Sequence, residues 1–147
     1  MNEDSYRFEK SPLTYYYEFY SHGPKGKIKK VVQYQQVSMD EEVFNLGFGD
    51  VEFETGEVND LSISNNQDTR KVLATIAQTV VAFVEDHPKA VIMAKGSTPS
   101  RTRLYQMGIA QFWDEIGKMF EVKGLIDNEW QSFEKGKNFE AFFIFKK

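Results

Sequence analysis

Cysteine is absent from this sequence of 147 residues, and that absence removes whole classes of chemistry. Disulfides, thiolate nucleophiles and cysteine-ligated zinc or iron–sulfur centres are all excluded. Histidine is scarce as well: His22 and His87 share no ligand spacing with each other or with acids. No metal site or other cofactor is expected, and no Ser/His/acid arrangement is indicated. No apolar run approaches the roughly 20 residues needed to cross a bilayer. The opening Met1-Asn2-Glu3-Asp4 is acidic and polar, unlike a secretory signal. A cytoplasmic protein with no membrane partner is the expectation, and the lack of cysteine agrees with it. Repeats, low-complexity tracts and Pro/Gly/Ser linkers are missing too, so residues 1–147 are read as a single domain.

What is present is aromatic. Thirteen Phe, seven Tyr and two Trp bring the aromatic share to 15%, enough to fill a core without a staple. The net charge of −4 is unevenly spread. Residues 40–60 carry Asp40, Glu41, Glu42, Asp50, Glu52, Glu54, Glu57 and Asp60 and no base, whereas Lys25, Lys27, Lys29 and Lys30 precede them. The acidic total argues against nonspecific DNA binding, which depends on neutralising phosphates. The two charge runs are expected to be solvated or to pair across neighbouring strands.

The first third reads as strands. Residues 14–20 are almost wholly aromatic, with Tyr15, Tyr17 and Phe19 on one face. Residues 21–26 are a turn by composition, and residues 27–37 alternate with Ile28, Val32 and Tyr34 on one side. Residues 43–48 alternate with Phe44, Leu46 and Phe48 inward, and Gly47 and Gly49 suggest a bulge or a close backbone approach. Residues 51–53 and 60–64 read as further short strands. Helical spacing of Leu73, Ile76, Val80, Phe83 and Val84 predicts a helix over 68–86, ended by Pro88. Residues 90–94 form an apolar run expected to be a strand buried on both faces. A second helix is predicted over 99–120, with Tyr105, Ile109, Phe112, Trp113, Ile116 and Phe120 in its stripe and Pro99 in its first turn. Residues 121–126 and 139–146 close the chain as strands. The fold class is α+β: a mostly antiparallel twisted sheet with two long amphipathic helices packed on it.

The best local candidate for a site is the turn Lys95-Gly96-Ser97-Thr98-Pro99-Ser100-Arg101-Thr102-Arg103. A helix start offers unpaired N–H groups and partial positive charge, so it attracts anions. Arg101 and Arg103 stand in the first turn, where the dipole disfavours cations, and no acid lies beside them. They point either to a bound anion or to an acid from residues 40–60, and Thr98 or Ser97 is a candidate cap. The candidate anion-binding residues are Lys95, Gly96, Ser97, Thr98, Ser100, Arg101 and Arg103. The turn lacks the Walker A spacing. A second strand-to-helix turn holds Asn65, Asn66, Asp68 and Arg70, where Asp68 is positioned to compensate the cations and capping is the simpler role. Gly23-Pro24-Lys25-Gly26 is read as a hairpin turn rather than an RNA-clamping loop. Tyr15 and Tyr17 with nearby lysines could stack single-stranded nucleic acid but read more simply as core.

The segments Asn45-Leu46-Gly47-Phe48-Gly49-Asp50, Ser64-Asn65-Asn66 and above all Gly96-Ser97-Thr98-Pro99-Ser100-Arg101-Thr102-Arg103-Leu104-Tyr105 resemble a small family of uncharacterised bacterial single-domain proteins. The resemblance implies a stand-alone domain and transfers no catalytic residue. The element order is also similar to the later part of the acyl-CoA N-acyltransferase fold. That likeness implies a pyrophosphate-binding turn at residues 65–70, which here has no glycine, and sets Tyr105 where the family often has a tyrosine acid. The leading expectation is a non-enzymatic module binding an anionic small molecule or nucleotide at residues 96–103. The alternatives are an acyltransferase-like enzyme and a protein-interaction module built on aromatic strands and the acidic segment.

Overall fold

The structure is a computed structural model that describes residues 4–10, 15–37, 40–51, 58–59 and 66–147. Five strands come first: β1 (Glu9–Lys10), β2 (Tyr16–Gly23), β3 (Gly26–Gln36), β4 (Val43–Val51) and β5 (Val58–Asn59). Helix α1 (Thr69–Asp86), strand β6 (Val91–Ala94), helices α2 (Pro99–Gln111) and α3 (Trp113–Met119), and strands β7 (Phe120–Ile126), β8 (Glu129–Ser132) and β9 (Ala141–Lys146) follow. The strands form one sheet in the order β1-β2-β3-β4-β6-β9-β7-β8, with β5 paired to the end of β4. Every pairing is antiparallel except that of β4 with β6. The fold is thus α+β with a mostly antiparallel sheet, as the patterning predicts.

The alternation of apolar residues explains which face the helices cover. Tyr17 and Phe19 of β2, Val32 and Tyr34 of β3, and Phe44, Leu46 and Phe48 of β4 share one core cluster with the α1 stripe Leu73, Ile76, Val80, Phe83 and Val84. Tyr105, Ile109, Phe112 and Ile116 join it from α2, α3 and their junction. Each such side chain contributes about 1.5–3 kcal/mol by leaving water. Rings lock the centre: Tyr34 stacks on Phe83 at 4.2 Å, and Phe44 meets the same ring edge-on at 4.9 Å.

Several local expectations need correction. The β2–β3 ladder runs on through Ser21↔Ile28, His22↔Lys27 and Gly23↔Gly26, so only Pro24 and Lys25 form the turn. Polar composition reads as loop, but here tertiary partners satisfy the polar groups: Ser21 Oγ donates to Asp68 at 2.5 Å and the His22 N–H donates to Tyr6 Oη at 2.9 Å. No bulge occurs at Gly47 or Gly49, because the β3–β4 register is unbroken from Gln36↔Phe44 to Lys30↔Asp50. Strand β6 is covered on one face: Ile92 and Ala94 are buried, while Val91 and Met93 are half-buried. The second helix is interrupted at Phe112 (φ −111°, ψ 23°), although Phe112 N–H still reaches Gly108 O at 3.2 Å and Ile116 N–H reaches Phe112 O at 2.8 Å. The expected strands at 51–53 and 60–64 fall largely or wholly outside the described residues. Strand β8 was not anticipated; it is paired to β7 through Asp127 and Asn128, both at positive φ, the conformation Asp and Asn tolerate best in a two-residue hairpin turn.

One glycine is dictated by a close approach between chain segments. A Cβ at Gly23 would overlap the backbone oxygen of Asn66 and sit 2.8 Å from its Cγ. Because the obstacle is backbone, Gly23→Ala should destabilise the protein by about 1–3 kcal/mol. A urea titration that finds the variant as stable as the parent refutes this packing.

Candidate functional site

Three inward-facing strand phases turn polar toward the same end of the sheet. On β2 the series Tyr17, Phe19 leads to Ser21; on β3 Tyr34, Val32 leads to Lys30, with half-buried Ile28 beyond it; on β4 Phe44, Leu46, Phe48 leads to Asp50. The register Phe19↔Lys30 and Lys30↔Asp50 puts Lys30 and Asp50 in one row with Phe19, while Ser21 lies one step further along, opposite Ile28. Lys30 is 1% exposed, and its Nζ lies 2.5 Å from Asp50 Oδ1. A buried pair of this kind is held by mutual attraction and a charge-assisted hydrogen bond, against a large desolvation cost.

Helices α1 and α2 both begin at this end. Strands β4 and β6 are parallel, and α2 follows the carboxyl end of β6, while Asn66 and Asp68, just before α1, bond to Ser21 at the same end of β2. Two partially positive helix starts therefore face the polar row. The β4–β6 pairing stops at Asn45↔Met93, while β4 continues to Val51.

At the start of α2, Thr98 is the N-cap and its Oγ1 accepts the Arg101 N–H at 3.2 Å. Pro99 has no N–H to offer, and Thr102 Oγ1 accepts from the Gly96 N–H at 2.9 Å while donating to Thr98 O at 3.3 Å. The turn is therefore closed largely by its own hydroxyls. What it presents inward is the side chain of Arg101. Residues in the first helical turn lean back toward the N-terminus, and Gly96 makes room for this one: a Cβ there would overlap Arg101 Cβ. Gly96 thus serves the arginine stem rather than a ligand's approach. The guanidinium lies 5.5 Å from the Phe48 ring centroid, and Lys30 Nζ lies 5.5 Å from the same centroid.

Arg101 is 3% exposed, and among the described residues neither Nη1 nor Nη2 has a hydrogen-bond partner. Asp50, the described acid of the 40–60 segment in this row, is hydrogen-bonded to Lys30. Asp40, Glu41 and Glu42 are exposed at the opposite end of β4, and Glu52, Glu54, Glu57 and Asp60 lie outside the described residues. A planar fork of donors, buried and without an acceptor among the described residues, is a binding geometry for a carboxylate or a phosphate.

The other residues of the turn are placed differently. Arg103 is exposed, because two residues along a helix turn the side chain by about 200°; it borders a shallow depression with Pro99, Ser100, Gln106 and Asn138. Lys95, Ser97 and Ser100 are exposed, and Thr98 and Gly96 are half-buried. The structure therefore separates Arg101 from Arg103 and Lys95, which the sequence reading grouped.

The second turn is structural where it is described. Asn66, 1% exposed, accepts from the Lys25 N–H at 2.7 Å and donates to Gly26 O at 2.9 Å and Ser21 Oγ at 3.2 Å, which ties the hairpin to α1. Asp68 occupies the N-cap position but makes no capping bond; its Oδ2 accepts from Ser21 Oγ at 2.5 Å and Tyr6 Oη at 2.6 Å instead. That corrects its expected role at the first turn. Burial, followed by the bond to Asp68, holds the Tyr6 hydroxyl above its ordinary pKa. Arg70 lies over the Phe112 ring at 5.5 Å. Asn65 lies outside the described residues. Tyr105 is buried one turn beyond Arg101 on the same helix face.

Lys30 and Asp50 were missed as site residues, although a signal was present. Both fall in phase with apolar neighbours, Lys30 with Ile28, Val32 and Tyr34, and Asp50 with Phe44, Leu46 and Phe48. A charge in the apolar phase of a strand is a charge on the core face. Elsewhere, Tyr15 and Tyr17 behave as packing residues: Tyr17 is 1% exposed and burial pushes its hydroxyl up to about 12, while Tyr15, partly exposed, packs edge-on against Phe44 and Phe83. Among the described residues no group of His, Asp and Glu is arranged to hold a metal ion, and no helix is long and apolar enough to cross a membrane.

Residues 2–147 match the model of a family described as of unknown function, DUF6934. No curated protein and no solved structure matches the chain, and no similarity to acyl-CoA N-acyltransferases is found.

Proposed function

From the premise that the chain belongs to the DUF6934 family of unknown function, we propose that it is a binding module for an anionic ligand, a carboxylate or phosphate, held by Arg101 at the start of α2. One observation carries this reading: the Arg101 guanidinium is buried with Nη1 and Nη2 unpaired among the described residues. An uncompensated buried charge costs several kcal/mol, and an anion seated on the fork removes that cost. Phe48 supports the guanidinium from below, and Lys30, held by Asp50, adds a second positive charge beside the same ring.

Calorimetric titration with inorganic phosphate, acetate and a nucleoside monophosphate tests the reading. Binding is expected for the parent, weakened at least tenfold in Arg101→Lys, which keeps the charge but loses the fork. Arg103→Ala should bind within twofold of the parent. No heat with any of the three anions, or an unchanged affinity in Arg101→Lys, overturns it.

A second reading, an acyl-CoA-dependent N-acyltransferase-like enzyme, is favoured by the parallel β4–β6 pair whose ladder ends short of the site. An acyl-CoA carries phosphates and belongs to the same ligand class. A titration with acetyl-CoA that gives no heat, on protein that binds phosphate, removes this reading and leaves the first.

A further inference from the structure

An apolar cavity lies one step from the charged site along each element they share. This cavity of about 50 Å³ lies between α1, α2, α3 and the sheet, walled in part by Leu46, Leu73, Ala77, Ala94, Tyr105 and Ile116. Its upper walls are the neighbours of the Arg101 site in every element. Leu46 is the inward residue next to Phe48 on β4, the ring under the guanidinium. Tyr105 is one turn along α2 from Arg101, and both are buried. Ala94 ends β6 directly before the turn. One helical turn, or two strand residues, is a step of about 5–7 Å, the length of a short aliphatic chain. A cavity lined this way holds apolar groups in preference to water.

Charge points to the head group. Lys30 and Arg101 supply two positive charges and Asp50 one negative, so of these three groups one positive charge is left over. A single monoanion cancels it, and a carboxylate fits the guanidinium fork with two parallel hydrogen bonds.

We infer that the ligand is an amphipathic monocarboxylic acid, its carboxylate on Arg101 and its short aliphatic chain in the cavity beneath Tyr105. This rests on the anion-binding reading above and adds the ligand's class. Leu46 and Ile116 would grip the chain, and Ala77, half-buried on α1, leaves the space that the chain fills.

The test is a calorimetric series of acetate, butanoate and hexanoate, with inorganic phosphate as the head-group control. Affinity is expected to rise by about fourfold per methylene until the cavity is full. Ala77→Leu, which fills the cavity from a helix position that accepts leucine, should keep acetate binding and abolish the rise. Ile116→Phe does the same from the opposite wall if the first variant folds poorly. Equal affinities along the series, with acetate and phosphate still bound and lost in Arg101→Lys, overturn the amphipathic ligand and leave the anion site standing. Phosphate binding without any carboxylate binding has the same meaning. No binding of any member overturns both.

Discussion

Asp50→Asn should lower the unfolding free energy by about 3–5 kcal/mol, the cost of breaking a buried ion pair from one side. Lys30 is 1% exposed and its hydrogen bond goes to Asp50 Oδ1. With the carboxylate gone, an ammonium remains beneath the helices, and Arg101 lies against the same ring. Asparagine has the same shape, so the loss reports charge and not packing. The double variant Lys30→Met/Asp50→Leu should recover most of the loss, since an apolar pair of similar volume often matches or exceeds a buried salt bridge. Urea unfolding of the parent, the single and the double variant checks both statements. A single variant within 1 kcal/mol of the parent would mean that water reaches Lys30.

The second large effect has the opposite sign. Arg101→Met should stabilise the ligand-free protein by about 1–4 kcal/mol, because methionine fills the guanidinium's space without an unpaired buried charge. The same variant should no longer bind any anion. A gain in stability with a loss of binding is what a site held in a costly state for its ligand produces. If Arg101→Met is instead less stable than the parent, the guanidinium has an internal acceptor and serves the fold. Thermal unfolding with and without phosphate separates the two outcomes, since a bound ligand raises the midpoint of the parent only.

Much of the scaffold was legible from spacing. The α1 stripe and the alternation in β3 and β4 are each short-range patterns, and a period of 3.6 or 2 says which side meets the core. The errors arose where tertiary partners overrode local chemistry. Ser21 and His22 look like turn residues until Asp68 and Tyr6 take up their polar groups. Gly47 and Gly49 look like a bulge until β3 holds them in register. Asp68 looks like a cap until Ser21 and Tyr6 claim its carboxylate.

The candidate site divides along the same line. The sequence by itself determined that α2 opens with Thr98, Pro99 and two arginines at the unfavourable end of its dipole, because caps, prolines and helix periodicity are local. It also determined that cysteine chemistry is excluded, because composition alone decides that. Only the tertiary structure decided that Arg101 is buried and Arg103 exposed, that Asp50 pairs with Lys30, and that an apolar cavity opens between the helices and the sheet. Those facts depend on which strand lies beside which: β4 and β6 are parallel neighbours although some forty residues of chain separate them. That pairing brings the start of α2 to the end of the sheet where the inward faces of β3 and β4 carry Lys30 and Asp50.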